Sequence, residues 1–153
     1  MRYFFYGSLT DPDVLAAVLG RPRVRAVPAV LEGWRRWRVA GEDYPLIAPA
    51  SGGRVEGILA DVAPAEARRL AWYEGDDFAP RVLSVAPRSG EPLQALVFVP
   101  RPDLAHAGET WDPRVWARKR KEPLLAAARR WMAFEGRRPA DLDAAWRAAR
   151  RAR

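Results

Sequence analysis

The order of the elements along the chain most constrains its fold. Short segments typical of β-strands follow one another over residues 2–99, and only two helical segments interrupt them. These helices are predicted over Thr10–Gly20 and Pro64–Tyr73. Strands that do not alternate regularly with helices disfavour a doubly wound parallel sheet. The sequence therefore predicts an α+β fold, in which helices flank a small, mixed, strongly curved β-sheet or barrel.

Alternating apolar residues, bounded by turn-forming residues, predict six or seven short strands in this part of the chain. They cover residues 2–6, 23–31, 34–40, 46–48, 55–62, 82–86 and 93–99. Gly33 and the Ser51-Gly52-Gly53 segment are predicted to be turns between separate strands. The predicted sheet is therefore built from many short strands.

The C-terminal quarter of the 153-residue chain differs from the rest in charge. Residues 1–112 contain 13 Lys or Arg and 15 Asp or Glu, which gives a net charge of −2. Residues 113–153 contain 13 and 4, which gives +9. A solvated helical surface explains this asymmetry, and a contact with nucleic acid through the basic tail stays open as an alternative.

Two amphipathic helices are predicted in the basic quarter, over residues 113–135 and 141–151. Their tryptophans follow helix faces, and we expect them to pack in a core; they are Trp116, Trp131 and Trp146. We therefore divide the chain into a domain at residues 1–112 and a basic helical C-terminal extension at residues 113–153, packed on the same domain.

Cysteine and histidine usage excludes several kinds of site. The sequence has no Cys, which excludes disulfides, thiolate zinc sites and cysteine nucleophiles. His106 is the only histidine, so several histidines cannot surround a metal. We therefore expect no metal and no other cofactor.

The apolar pattern gives no indication of a membrane partner. The longest apolar runs are far shorter than the roughly 20 residues that a transmembrane helix needs. Residues 1–7 lack the long apolar region of a signal peptide. We therefore expect a cytoplasmic protein that does not bind membranes, and the oligomeric state stays open.

Two segments indicate a functional site. In Tyr6-Gly7-Ser8-Leu9, a glycine lies between a predicted strand and a predicted helix, where backbone N–H groups can bind an anion. Glu74 lies at the C-terminus of the second predicted helix, where the helix dipole disfavours a carboxylate. A residue that breaks a local rule is a candidate for function. From the residues alone, an ordinary glycine turn and a tolerated surface carboxylate stay open as alternatives.

Both segments belong to an ordered series of motifs over residues 3–100. The series comprises Phe5-Tyr6-Gly7-Ser8-Leu9, Tyr44-Pro45-Leu46-Ile47, Val55–Val62, the Leu70–Arg81 block that contains Glu74-Gly75, and Leu93–Val99. In order and spacing it resembles the γ-glutamylcyclotransferase-like superfamily, in particular the branch with the γ-glutamylamine cyclotransferases and the avirulence-induced-gene-like proteins. The resemblance implies the barrel-like α+β fold of this superfamily.

The resemblance also implies an activity. Glu74 takes the place of the catalytic acid/base of the family, and Tyr6, Gly7, Ser8 and Leu9 take the place of its substrate-binding loop. The implied reaction is an intramolecular aminolysis, in which the α-amine of a γ-glutamyl amide attacks its own γ-carbonyl group. The products are 5-oxoproline and a free amine or amino acid. Because the substrate supplies the nucleophile, the reaction is compatible with a chain that lacks Cys.

Tyr44 is a further candidate for substrate binding, because its hydroxyl could contribute to the pocket. Packing in the core or in a turn is the alternative for this residue. The expected partner is a small γ-glutamyl compound, and nucleic acid is not expected as a partner.

A catalytically silent protein on the same fold is the competing hypothesis. Ala71 and Phe78 replace the Asp and Tyr that relatives usually carry close to the catalytic Glu. Such a protein would bind a small molecule or an interaction partner, and its basic tail could contact nucleic acid, since a fold does not fix a function.

Overall fold

The computed structural model describes residues 1–135, in which five strands form a closed β-barrel. The strands are β1 (Arg2–Phe5), β2 (Ala26–Arg38), β3 (Pro45–Asp61), β4 (Phe78–Pro87) and β5 (Leu93–Pro100). Their order around the barrel is β1-β3-β2-β4-β5. Neighbouring strands are antiparallel, except that β1 and β5 pair in parallel and close the barrel. The predicted α+β fold with a mixed, closed sheet is therefore confirmed.

Three α-helices flank the barrel: α1 (Pro12–Leu19), α2 (Pro64–Glu74) and α3 (Pro113–Met132). Each begins with a proline, which suits the first turn because no backbone N–H is needed there. The side chains of Asp11 and Asp112 accept hydrogen bonds from the first free amides of α1 and α3. Local signals therefore define where these helices begin.

The two predicted turns inside the sheet are wrong. Gly33 lies at a bulge within β2, and residues 51–53 lie within β3. β2 and β3 pair over nearly their whole lengths as one long antiparallel hairpin. A glycine accommodates a bulge as readily as a turn, so the chain bends at these points without leaving the sheet. The barrel consequently has five strands, two of them long, rather than six or seven short ones.

Buried apolar side chains form two clusters. The first, which we call the barrel interior, consists of Phe4, Tyr6, Ala29, Leu31, Ile47, Val55, Leu59, Val85, Ala95, Val97 and Val99. The second, which we call the helical layer, joins outward-facing strand residues such as Tyr3 and Phe5 to the buried faces of α1, α2 and α3. Because successive side chains of β1 point to opposite faces of the sheet, this strand contributes residues to both clusters.

Helix α3 packs in the helical layer, with Trp116 and Trp131 buried as the sequence predicted. The helix ends at Met132, slightly before the predicted end. The helix predicted over residues 141–151 and its Trp146 lie outside the described residues. Within residues 1–135, no helix combines the length and the apolar character that crossing a membrane would require.

Candidate functional site

A pocket of about 40 Å³ lies where the barrel interior and the helical layer meet. Its lining includes all six residues that the sequence singled out, namely Tyr6, Gly7, Ser8, Leu9, Tyr44 and Glu74. The remaining lining residues are mostly aromatic: Phe4, Phe5, Pro45, Tyr73, Phe78 and Phe98. A cavity needs roughly 10–15 Å³ to hold one water molecule. A pocket of this volume therefore admits only a small part of a ligand. The rest of a larger ligand must extend towards solvent.

The loop after β1 forms one wall of the pocket. Residues Ser8–Thr10 make a single 3₁₀ turn, in which the Thr10 amide and hydroxyl both donate to the Gly7 carbonyl, at 3.0 and 2.7 Å. A Cβ on Gly7 would lie 3.1 Å from Cγ of Pro45, so the loop packs closely against the segment after Tyr44. Within residues 1–135, no hydrogen bond uses the amide N–H groups of residues 7–9. These donors are available to a ligand.

Glu74 enters the pocket from the end of α2. It is the last residue of that helix, and Gly75 ends the helix with a φ of 69°, which a glycine adopts at little cost. The chain can therefore leave the helix immediately after the carboxylate. The Glu74 side chain is half-buried and lines the pocket.

Tyr6, at the start of the loop, interacts electrostatically with Glu74. Its side chain is buried, and its hydroxyl donates to the Phe98 carbonyl at 2.7 Å. Burial raises the pKa of Tyr6 well above its usual value; the negative charge of Glu74 raises this pKa further, and the positive charge of Arg36 lowers it. The phenol is therefore neutral at physiological pH and close enough to the carboxylate to sense its charge.

Ser8 makes the direct contact between the loop and α2. The oxygen atoms Ser8 Oγ and Tyr73 Oη are 3.0 Å apart and share a hydrogen bond. Tyr73 is buried and immediately precedes Glu74 in the helix. On the third side of the pocket, the half-buried Tyr44 packs edge-on against Phe78, with ring centres 6.2 Å apart. All three predicted segments are thus in one place.

Arg36, which was not predicted as a site residue, lies beneath the loop. Its Nη1 atom donates to the Tyr6 carbonyl at 2.6 Å and to the Glu56 carbonyl at 3.3 Å. The guanidinium lies 5.6 Å from the centre of the Trp111 ring, and burial lowers the pKa of Arg36. Arg36 therefore fixes the carbonyl at which β1 passes into the loop. Arg36 lies in the strand predicted over residues 34–40, and only the closed barrel brings Tyr6 to it.

Tyr73, Phe78 and Pro45 were also not predicted as lining residues, although each lies inside one of the motifs named above. For Tyr73 and Pro45, the available signal was their adjacency to Glu74 and Tyr44. An aromatic wall of this kind excludes water and strengthens polar interactions inside the pocket.

The polar side chains of the pocket are four hydroxyl groups and one carboxylate, from Tyr6, Ser8, Tyr44, Tyr73 and Glu74. Over residues 1–135, no group of three or more His, Cys, Asp or Glu is arranged to hold a metal ion. The arrangement can therefore bind a small polar group through hydroxyl and amide donors, and it has one carboxylate that can transfer a proton.

A family model described as gamma-glutamyl cyclotransferase, AIG2-like, matches residues 3–118, which include the whole barrel and the pocket. The Arabidopsis thaliana protein named Protein AIG2 C is 30% identical over 133 residues, which cover 84% of this chain and 79% of that protein. AIG2-like protein C from the same plant is 33% identical over 135 residues, covering 84% and 76% of the two chains.

Solved structures share the same architecture. The solution structure of an Arabidopsis thaliana protein matches with a TM-score of 0.62 at 29% identity, covering 92% of this chain and 86% of that chain. The structure of a gamma-glutamyl cyclotransferase matches with a TM-score of 0.62 at 15% identity, covering 97% and 86%. At that lower identity the match shows the fold alone. The superfamily resemblance predicted from the motifs is confirmed.

Proposed function

Because the chain belongs to the AIG2-like gamma-glutamyl cyclotransferase family, we propose that it cyclises a γ-glutamyl amide. The α-amine of the substrate attacks its own γ-carbonyl carbon, and the products are 5-oxoproline and a free amine or amino acid. One observation carries the proposal: a single pocket collects Glu74, Tyr44 and the loop of residues 6–9.

In the proposed reaction, Glu74 acts as the general acid/base. Its carboxylate accepts a proton from the α-ammonium group, which frees the nitrogen lone pair for attack on the γ-carbonyl carbon. As the tetrahedral intermediate collapses, Glu74 donates this proton to the leaving nitrogen and the bond to that nitrogen breaks. The carboxylate then takes the surplus proton of the ring nitrogen and passes it to the released amine, which leaves as an ammonium ion. A positioned group of this kind contributes about 10²–10⁴-fold to the rate. The influence of the Glu74 charge on Tyr6 supports the placement of this carboxylate beside the loop.

The loop of residues 6–9 binds the γ-glutamyl part of the substrate in this proposal. The amide N–H groups of residues 7–9 are available to a carboxylate or to the oxyanion that develops on the γ-carbonyl. Ser8 and Tyr44 add hydroxyl groups. Because the pocket is small, it holds the glutamyl end in a folded pose while the leaving amine extends outwards. An intramolecular attack from such a pose reaches effective molarities of about 10⁵–10⁸ M.

The test is release of 5-oxoproline from a panel of γ-glutamyl amino acids, γ-glutamylamines and glutathione. Wild-type protein is expected to release it from at least one compound, and Glu74→Gln is expected to lower kcat by about 10²–10⁴-fold with an unchanged melting temperature. Asp76→Asn is the matched control, because Asp76 is an exposed carboxylate just beyond the pocket lining. We expect this control to keep its activity.

A second control tests the internal nucleophile. The N-acetyl derivative of the preferred substrate carries an amide in place of the α-amine, so no 5-oxoproline should form from it. Full activity of Glu74→Gln would contradict the role of the carboxylate. A folded wild-type protein that is silent across the panel would contradict the activity itself and favour a binding protein on the same fold.

A further inference from the structure

Helix α3 is linked, directly or through one further residue, to the three chain segments that carry the predicted site residues. The segments are the loop of residues 6–9, the turn before Tyr44 and the last turn of α2. The link to the loop passes through Asp11. They are far apart in sequence, and the hydrogen bond between Ser8 and Tyr73 connects only two of them directly. The contacts of α3 reach all three, through side chains beyond residue 118, where the family-model match ends.

The first contact holds the loop through Asp11. Lys121 Nζ lies 2.9 Å from Oδ2 of Asp11 and 2.7 Å from Oδ2 of Asp13. The other Asp11 carboxylate oxygen caps α1, and the Asp11 amide donates to the Ser8 carbonyl at 3.1 Å. Lys121 therefore reaches the loop through a chain of one ion pair and one backbone hydrogen bond.

The second contact holds the residue before Tyr44. Arg120 Nε lies 2.6 Å from Oδ2 of Asp43, and Trp111 Nε1 donates to the Asp43 carbonyl at 3.2 Å. Asp43 is thus fixed through both its side chain and its backbone. Because Tyr44 follows directly, these bonds restrict where its side chain enters the pocket.

The third contact holds the end of α2. The indole rings of Trp72 and Trp131 are stacked with centres 4.9 Å apart and planes at 16°. Each indole N–H donates to the backbone carbonyl of the other residue, at 3.3 Å in both cases. Both tryptophans are buried, so this reciprocal pair resists displacement. Glu74 lies two residues after Trp72, at the end of the helix that the pair holds.

We infer that α3 is a positioning element of the active site, in which Lys121 positions the substrate loop, Arg120 positions Tyr44 and Trp131 positions Glu74. This inference rests on the proposed cyclotransferase function. None of the three residues lines the pocket, so each acts through the residue that it holds.

The experiment measures kcat and KM separately in Lys121→Met, Arg120→Met and Trp131→Phe. Trp131→Phe keeps an aromatic ring for stacking but loses the indole donor. Misplacement of a reacting group by 1 Å can cost about 10²-fold in rate. We therefore expect Trp131→Phe to lower kcat by about 10-fold with little change in KM. The Lys121 and Arg120 variants should mainly raise KM, by a similar factor.

Matched controls lie on the same helix. Lys119 and Arg118 are exposed and form no ion pair within residues 1–135, so Lys119→Met and Arg118→Met should leave kcat and KM unchanged. Lys121→Arg keeps the positive charge, so its KM should be close to that of the wild type. Hydrogen exchange provides a readout without turnover: amides of residues 7–11, 43–45 and 72–75 should exchange faster in the three variants than in the controls.

The outcomes separate the two proposals. If the wild-type enzyme is active but the three variants match their controls in kcat, KM and exchange, the positioning role of α3 is overturned. If the melting temperature and kcat fall in all three variants while KM stays unchanged, and Lys121→Arg behaves like Lys121→Met, α3 is merely structural and the inference also fails. If exchange increases locally but wild-type protein releases no 5-oxoproline, the positioning contacts stand and the proposed function fails.

Discussion

The barrel interior and the helical layer are stabilised by different kinds of contact. The interior consists of apolar side chains and one phenol, and Leu31, Ile47, Val55, Val85 and Val97 are essentially inaccessible to solvent. The helical layer combines apolar packing with directional contacts at its margins, among them the reciprocal tryptophan pair and the ion pairs of α3. Apolar packing is non-directional, whereas hydrogen bonds and ion pairs depend on distance and angle.

This difference assigns separate tasks to the two regions. The interior determines where β1 ends and therefore where the loop of residues 6–9 begins. The helical layer determines how far Glu74 lies from that loop. Substitutions in the interior should therefore change the free energy of unfolding. Substitutions in the pocket, where the two regions meet, should also change turnover.

The largest effect on stability is expected for Leu31→Ala. Leu31 is 1% exposed in the barrel interior and does not line the pocket. Its truncation should lower the free energy of unfolding by about 2–5 kcal/mol, measured by urea denaturation. The folded fraction should keep the kcat of the wild type. Leu93→Ala makes the same change at a half-buried position and should cost less. Normal stability with impaired kcat in Leu31→Ala would contradict the separate tasks of the two regions.

Tyr6→Phe should have the next largest effect, because Tyr6 belongs to the interior and also lines the pocket. Removing its hydroxyl leaves the buried Phe98 carbonyl without this donor, at a cost of about 1–3 kcal/mol. Urea denaturation at pH 8 measures this cost.

The same variant tests the raised pKa of Tyr6. An unfolded chain releases the phenol proton near pH 10, whereas the folded protein keeps it. The stabilisation is therefore fully present below pH 10 and is lost as pH rises above it, by up to about 1.4 kcal/mol per pH unit. Tyr6→Phe should lose less stability between pH 10 and 11 than the wild type. Tyr3→Phe is the comparison: burial also raises the pKa of Tyr3, but less than that of Tyr6, so its slope should change less. An unchanged slope in Tyr6→Phe would refute the assignment.

The parts of the site that sequence reasoning identified are those that local signals define. Asp11 and Pro12 begin α1, and Gly75 ends α2 immediately after Glu74, so the loop and the carboxylate occupy predictable places at element boundaries. Motif order then supplied the family resemblance. Each of these features depends on a few neighbouring residues.

The parts that were missed depend on contacts between distant residues. Gly33 was predicted to be a turn because only the pairing of β2 with β3 shows that it lies at a bulge. The role of Arg36 could not be predicted, because its partners at Tyr6 and Glu56 come together only in the closed barrel. Local chemistry thus indicates where elements begin and end, and barrel closure determines which of their side chains meet.

The smallest predicted effect concerns the hydrogen bond between the loop and α2. Ser8→Ala and Tyr73→Phe each remove one partner of the 3.0 Å contact and should each cost about 0.5–1.5 kcal/mol. Because both variants remove the same bond, the double variant should cost less than the sum of the two, which a double-mutant cycle of unfolding free energies measures. Ser84→Ala, at an exposed serine of β4, should be close to neutral.

The same cycle applied to kcat/KM tests whether this bond also positions Glu74 for the reaction. If the bond positions Glu74 relative to the loop, the activity losses of Ser8→Ala and Tyr73→Phe should also be less than additive. Additive losses in both stability and activity would mean that the two walls of the pocket are held independently. In that case the distance between Glu74 and the loop would be determined by the contacts of α3 and not by the direct bond, because α3 holds both Asp11, just after the loop, and Trp72, close to Glu74.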